Sequence, residues 1–146
     1  MLILNIHYLI QKLRQICGGK ICIYPLTLVK KLLLIRYSCY LPNKAIIGKG
    51  LVLPHGLSGI FITGNAVIGT NCTIFQNVTI GRNNDVSSKG YGSPIIGNNV
   101  LLGAGSIIIG KCSIGNNVKI GAGVVVSFDV PDNATVEINK PRIILK

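Results

Sequence analysis

His55 is one of only two histidines in the chain, and it stands in "LVLPHGLSG" (51–59), among aliphatic residues and glycines, with no Asp or Glu close in sequence. Imidazole is the side chain whose ordinary pKa lets it take up and release a proton near neutral pH. A histidine in this setting therefore reads in two ways, as a general base or as a residue that fills a bend. The other histidine, His7, lies far away in an N-terminal apolar stretch. The five cysteines (Cys17, Cys22, Cys39, Cys72, Cys112) are odd in number and contain no C-x-x-C pair. Neither a disulfide framework nor a metal site is expected from them, and they fit a reducing cytoplasm.

The element that must position His55 is a six-residue repeat. Ile62, Ile68, Ile74 and Ile80 are six apart, and the step resumes at Ile96, Leu102, Ile108, Ile114, Ile120 and Val126. Gly69, Gly81, Gly97, Gly103, Gly115 and Gly121 follow these aliphatics directly. Four places after the aliphatic comes a small or β-branched residue, as at Ala66, Cys72, Val78, Val100, Ser106, Cys112, Val118 and Val124. A period of six fits neither an α-helix nor a hairpin sheet. It fits a chain coiling as a triangular prism, one hexad to a side, with the aliphatic inward and the glycine relieving the backbone where the path turns. A single coil cannot bury its own apolar face, so stacking supplies the core.

The step breaks twice. Leu53 to Ile62 is nine residues, which inserts three just after His55; Ile80 to Ile96 is sixteen, read as two hexads plus four. The second gap, "RNNDVSSKGYGSP" (82–94), is polar and rich in Gly and Ser, so it is predicted to leave the prism as a loop, and inserted loops on solenoids commonly build a binding face.

Residues 1–40 do not follow the hexad. "LILNIHYLIQKLRQI" has helical apolar spacing and is stopped by Gly18-Gly19, and "PLTLVKKLLLIRY" (25–37) starts a second helix at Pro25. The domain plan is thus a helical cap segment over 1–40, a coil over 41–131 carrying loop 82–94, and a tail over 132–146. The net charge is +11, and all four acids lie beyond residue 84. Such a balance points to an anionic partner. Nucleic acid is not expected, because no nucleic-acid-binding signature is present. No secretory leader is expected, and no apolar run reaches the ~18 residues needed to span a bilayer. The basic residues set among leucines in the first 40 positions add a competing expectation of peripheral membrane contact through this segment.

The repeat matches the hexapeptide motif of left-handed parallel β-helices. Residues 41–131 resemble the serine acetyltransferase branch of the hexapeptide-repeat acyltransferase family, which includes polysaccharide O-acetyltransferases. The motifs that carry the likeness are "IIGKGLVLPHGLSGIFITGNAVIG", "CTIFQNVTIG", "SPIIGNNVLLGAGSIIIG", "IGNNVKIGAGVVV" and "DVP". The resemblance implies an all-β left-handed parallel β-helix with a short N-terminal helical segment, acetyl-CoA as co-substrate, no metal, and a homotrimer with active sites between neighbouring prisms. It implies His55 as the base that removes the acceptor hydroxyl proton during attack on the acetyl-CoA thioester. It places Gly103, Ala104, Gly121 and Ala122 in turns lining the CoA channel, with Lys119, Lys140 and Arg142 as candidates for the CoA phosphates.

The chain departs from the serine-specific pattern at three points. Tyr40 stands where an Asp would orient the base, Pro54 where an Asp precedes it, and Ser93-Pro94 where a His-Pro pair ends the loop. On that ground a sugar or glycan-precursor hydroxyl is the expected acceptor. Serine O-acetylation for cysteine biosynthesis is the alternative, and a non-catalytic β-helix scaffold the further one.

Overall fold

The computed structural model describes residues 2–17 and 24–138. Among the described residues two helices, α1 (Leu2–Cys17) and α2 (Tyr24–Arg36), precede twelve short strands numbered in chain order. The strands sort into three parallel sheets, one for each side of a prism. The first side stacks β1 (Ile46–Ile47), β3 (Val67–Ile68), β6 (Ile95–Ile96) and β9 (Ser113–Ile114). The second stacks β4 (Thr73–Ile74), β7 (Leu101–Leu102), β10 (Lys119–Ile120) and β12 (Thr135–Val136). The third stacks β2 (Phe61–Ile62), β5 (Thr79–Gly81), β8 (Ile107–Ile109) and β11 (Val125–Val126).

The register explains the repeat. Ile47 lies over Ile68, Ile96 and Ile114 on one side; Ile62 lies over Ile80, Ile108 and Val126 on another. All eight are buried. Each such side chain removed from water stabilises the fold by roughly 1.5–3 kcal/mol, and the small residues Ala66, Cys72, Val78 and Ser106 fill the space beside the corners.

The turns use glycine differently from the expectation. At Gly48, Gly69 and Gly97 the backbone is not left-handed, but a Cβ would stand 2.5, 2.4 and 2.8 Å from the backbone of the next coil. These glycines permit close stacking. The left-handed residue comes two places after Gly69, Gly97, Gly115 and Pro131 and is Asn71, Asn99, Asn117 and Asn133, with φ of 56–61°; after Gly48 it is Gly50. Asn tolerates that region because its short side chain makes local hydrogen bonds. Here Asn99 Nδ2 donates to Asn117 Oδ1 (3.1 Å) and Asn117 Nδ2 to Asn133 Oδ1 (3.0 Å), a ladder along one prism edge.

Both interruptions are visible. Ile62 pairs with Ile80, 18 positions on, whereas Ile80 pairs with Ile108, 28 on. The second gap is therefore one side of the prism plus a ten-residue excursion, not two hexads plus four. The excursion is a closed hairpin: Asn83 and Gly92 exchange both backbone hydrogen bonds (2.9 and 3.1 Å), and the Arg82 guanidinium lies 4.8 Å from the centre of the Tyr91 ring. Asp85 accepts from the Ser87 amide and hydroxyl, which holds its carboxyl below the ordinary range. The coil also runs past residue 131, since β12 pairs with β10.

The helices sit on the first coil. Ile3 and Leu4 of α1 join the main core with Leu41, Ala45 and Leu57. Tyr8 Oη donates to Gly48 O (2.7 Å) and Gln11 Nε2 to Ala45 O (2.7 Å). Fully buried His7 and Lys30 complete the join: the Lys30 ammonium donates to His7 Nδ1 (2.7 Å) and Asn43 Oδ1 (2.8 Å), and His7 Nε2 donates to Ala45 O (3.2 Å). Among the described residues no helix is long and apolar enough to cross a membrane.

Candidate functional site

The edge between the second and third sides carries the candidate chemistry. At its head is the three-residue insertion, a broad turn over 54–59 that projects His55 into solvent. A regular hexad would have spent these residues on a tight corner. The His55 ring is held from the next coil by two consecutive residues. His55 Nδ1 lies 2.6 Å from Gln76 Oε1, and the Phe75 ring meets the imidazole edge-on, with centroids 5.7 Å apart and planes at 80°.

Below this point the turns form a hydrogen-bonded column. Asn77 N donates to Ser58 O (3.0 Å), Gly105 N to Gln76 O (3.0 Å) and Gly123 N to Ala104 O (2.9 Å). Gly59, Asn77, Gly105 and Gly123 all have φ of 59–68°. A Cβ on Gly105 or Gly56 would meet nothing within 4 Å, so the outer surface of the edge is open.

The structure thus brings His55 and the turns Gly103-Ala104-Gly105 and Gly121-Ala122-Gly123 onto one edge. Gly103 itself faces the coil below, where a Cβ would come within 2.6 Å of Ala122 N, while Gly105 and Ala104 face outward. Among the described residues the amides of Ala104 and Ala122 donate to no backbone carbonyl. Lys119 is exposed on the flat second side, at the outward position of β10. Lys140 and Arg142 lie outside the described residues. Among the described residues no group of three or more His, Cys, Asp or Glu could hold a metal ion.

Tyr40, in the position of a partner acid, is exposed and pairs with Phe61 on the third side. The Ser93 hydroxyl is buried and, among the described residues, has no hydrogen-bond partner. Phe75 and Gln76 were not anticipated. Their signal was present: Gln76 is 21 residues after His55, one 18-residue coil plus the three inserted residues, which stacks it beneath the imidazole.

Residues 93–127 match the family of bacterial transferase hexapeptide proteins (six repeats). Over 100 residues the chain is 47% identical to serine acetyltransferase 1, chloroplastic, of Arabidopsis thaliana, which covers 68% of this chain and 31% of that protein. Among solved structures it superposes on serine acetyltransferase isoform 3 of Entamoeba histolytica in complex with cysteine, with a TM-score of 0.80 and 28% identity over 99% of this chain and 49% of the other. It also superposes on soybean serine acetyltransferase complexed with serine, with a TM-score of 0.77 and 33% identity over 98% and 56%. The chain spans about a third of the length of these first curated relatives and about half of the solved chains.

These likenesses correct the expected acceptor. The relatives and structural neighbours are serine acetyltransferases, not sugar acetyltransferases. The sugar reading rested on three departures from the serine-specific pattern, at Tyr40, Pro54 and Ser93-Pro94. In the structure the imidazole's hydrogen-bond partner is Gln76, and Tyr40 pairs with Phe61 instead. Over residues 93–127 the chain matches the bacterial transferase hexapeptide model, and it folds as a left-handed parallel β-helix whose coil resembles that of the serine acetyltransferases.

Proposed function

We propose that the chain is an acetyl-CoA-dependent O-acetyltransferase whose acceptor is the side-chain hydroxyl of serine. The observation that carries the reading is the exposed imidazole of His55 at the head of an open edge of turns, in a coil similar to serine acetyltransferases. In this reaction His55 takes the hydroxyl proton while the oxygen attacks the thioester carbonyl. The tetrahedral intermediate then collapses to O-acetylserine and CoA thiolate, and the proton returns from the imidazolium to the thiolate. The turn amides at Ala104 and Ala122, which donate to no backbone carbonyl among the described residues, are the candidates to take the pantetheine carbonyls and the developing oxyanion. Lys119, Lys140 and Arg142 are the candidates to meet the CoA phosphates. A homotrimer would set a second prism against this edge. The apolar side chains Tyr40, Phe61 and Val125, exposed on the third side, supply a surface for such packing. The reaction belongs in the cytoplasm, where acetyl-CoA and reduced thiols coexist.

The test is mass spectrometry of products from acetyl-CoA and L-serine, with wild type and His55→Ala. O-acetylserine from wild type and none from His55→Ala, with the variant still folded, is the expected result. Wild-type protein that binds acetyl-CoA yet forms no O-acetylserine would refute the acceptor, and full turnover by His55→Ala would refute the base.

A further inference from the structure

We infer that Gln76 is the positioning residue for His55, fixing which ring nitrogen carries the proton; the inference rests on the proposed role of His55 as base. The contact is short, 2.6 Å between His55 Nδ1 and Gln76 Oε1. An amide oxygen can only accept, so the proton sits on Nδ1. Nε2 then holds the lone pair, which is the form a general base needs. Free imidazole side chains prefer the opposite tautomer, so the contact selects the less common form. Among the described residues His55 makes no ion pair; its ring packs against the carboxamide of Gln76 and, edge to face, the Phe75 ring.

Gln76 does a second thing. Its main-chain carbonyl accepts from Gly105 N at 3.0 Å. One residue therefore ties the base above to the next turn of the open edge below, so the distance between them does not depend on the exposed 54–59 turn alone. Because the holder is a neutral amide rather than a carboxylate, it orients the ring without adding negative charge beside the imidazolium.

The test uses the full chain labelled with 15N-histidine. Only His7 and His55 report, and His55→Ala assigns the two. Wild type is expected to show the Nδ1–H tautomer at His55. Gln76→Met keeps the side-chain length and removes the acceptor; it is expected to shift His55 toward Nε2–H and to lower kcat about tenfold or more, with little change in KM for acetyl-CoA because the main-chain bond remains. Gln76→Glu restores the tautomer but adds a charge, so the acid limb of its kcat profile moves to higher pH by about one unit or more. Nε2–H in wild type, or identical histidine spectra in wild type and Gln76→Met, overturns the inference. The spectra need no substrate, so failure of serine acetylation alone would count against the acceptor reading and leave this result readable.

Discussion

Gly69 and Gly81 occupy the same place in the hexad, yet adding a methyl group should have opposite effects. At Gly69 a Cβ would lie 2.4 Å from Gly97 O and 2.6 Å from both Gly97 C and Asn98 Oδ1; at Gly81 the nearest atoms are side-chain carbons of Ile109 at 3.5 and 3.7 Å. Neither residue has a positive φ, so the comparison isolates packing. Ordinary contact begins near 3.4 Å, so the next coil would have to move by about 1 Å at Gly69. That movement strains the bonds that hold the coils there, Gly69 N to Ile96 O (2.9 Å) and Gly97 N to Ile114 O (2.8 Å). Weakening two hydrogen bonds at about 1 kcal/mol each, with the low end of the overpacking range of ~1–3 kcal/mol, gives a loss of about 3 kcal/mol. Gly81→Ala meets only ordinary contacts and restricts the unfolded chain, so it should stabilise by about 0.5 kcal/mol. For a chain of this size the pair becomes a fall in Tm of about 10 °C against a rise of about 1–2 °C. Urea and thermal unfolding followed by circular dichroism will read both, at one matched protein concentration because subunit association shifts apparent stability. A Gly69→Ala protein within about 1 kcal/mol of wild type, or a Gly81→Ala protein as damaged as Gly69→Ala, would refute the close-stacking account.

Three further outcomes follow from the packing. Ser106 is fully buried with its hydroxyl unpartnered among the described residues, so Ser106→Ala should raise stability by about 1 kcal/mol in the same unfolding assay. Asn43→Ala takes an acceptor from the buried Lys30 ammonium and should cost about 2 kcal/mol, seen as early loss of helical signal on heating. Burial pushes the Cys72 and Cys112 thiols up from an ordinary value of 9.0. The folded state therefore favours the protonated thiols, and their stabilising contribution is full below pH 9 and is lost as pH climbs through the higher folded values. The urea midpoint should fall on that side, less steeply in Cys72→Ala/Cys112→Ala.

The prism was legible because its cause is local and repeated: an inward aliphatic every sixth residue can be read without knowing what it touches, and Ile62, Ile80 and Ile108 stack as the spacing implies. The helices over Leu2–Cys17 and Tyr24–Arg36 were legible for the same reason. What escaped notice depends on contacts between coils. Gly69 and Gly81 look alike in sequence and differ only in what lies beneath them. On one edge the left-handed corners fell to Asn71, Asn99 and Asn117 rather than to the glycines that follow the aliphatics, and on another to Gly59, Gly105 and Gly123. The length of the second gap was misdivided because a six-residue period does not say on which side of the prism the count resumes. At the site, His55 stood out as a rare residue type, whereas Gln76 is an unremarkable amide until the coil places it below the ring.

Parallel stacking in fixed register makes the open edge a ruler with discrete marks. From Ser58 through Gln76 and Ala104 to Ala122 the column advances one coil at a time, about 4.8 Å per step at ordinary strand spacing, so the last turn lies roughly 14 Å below the first. A deletion inside a side would break register on all three sheets, while a whole coil of 18 residues, or a bulge at a corner such as 82–94, leaves it intact. Any change in reach along this edge therefore has to come in whole coils, and His55 and the last turn of the edge cannot drift apart by amounts in between.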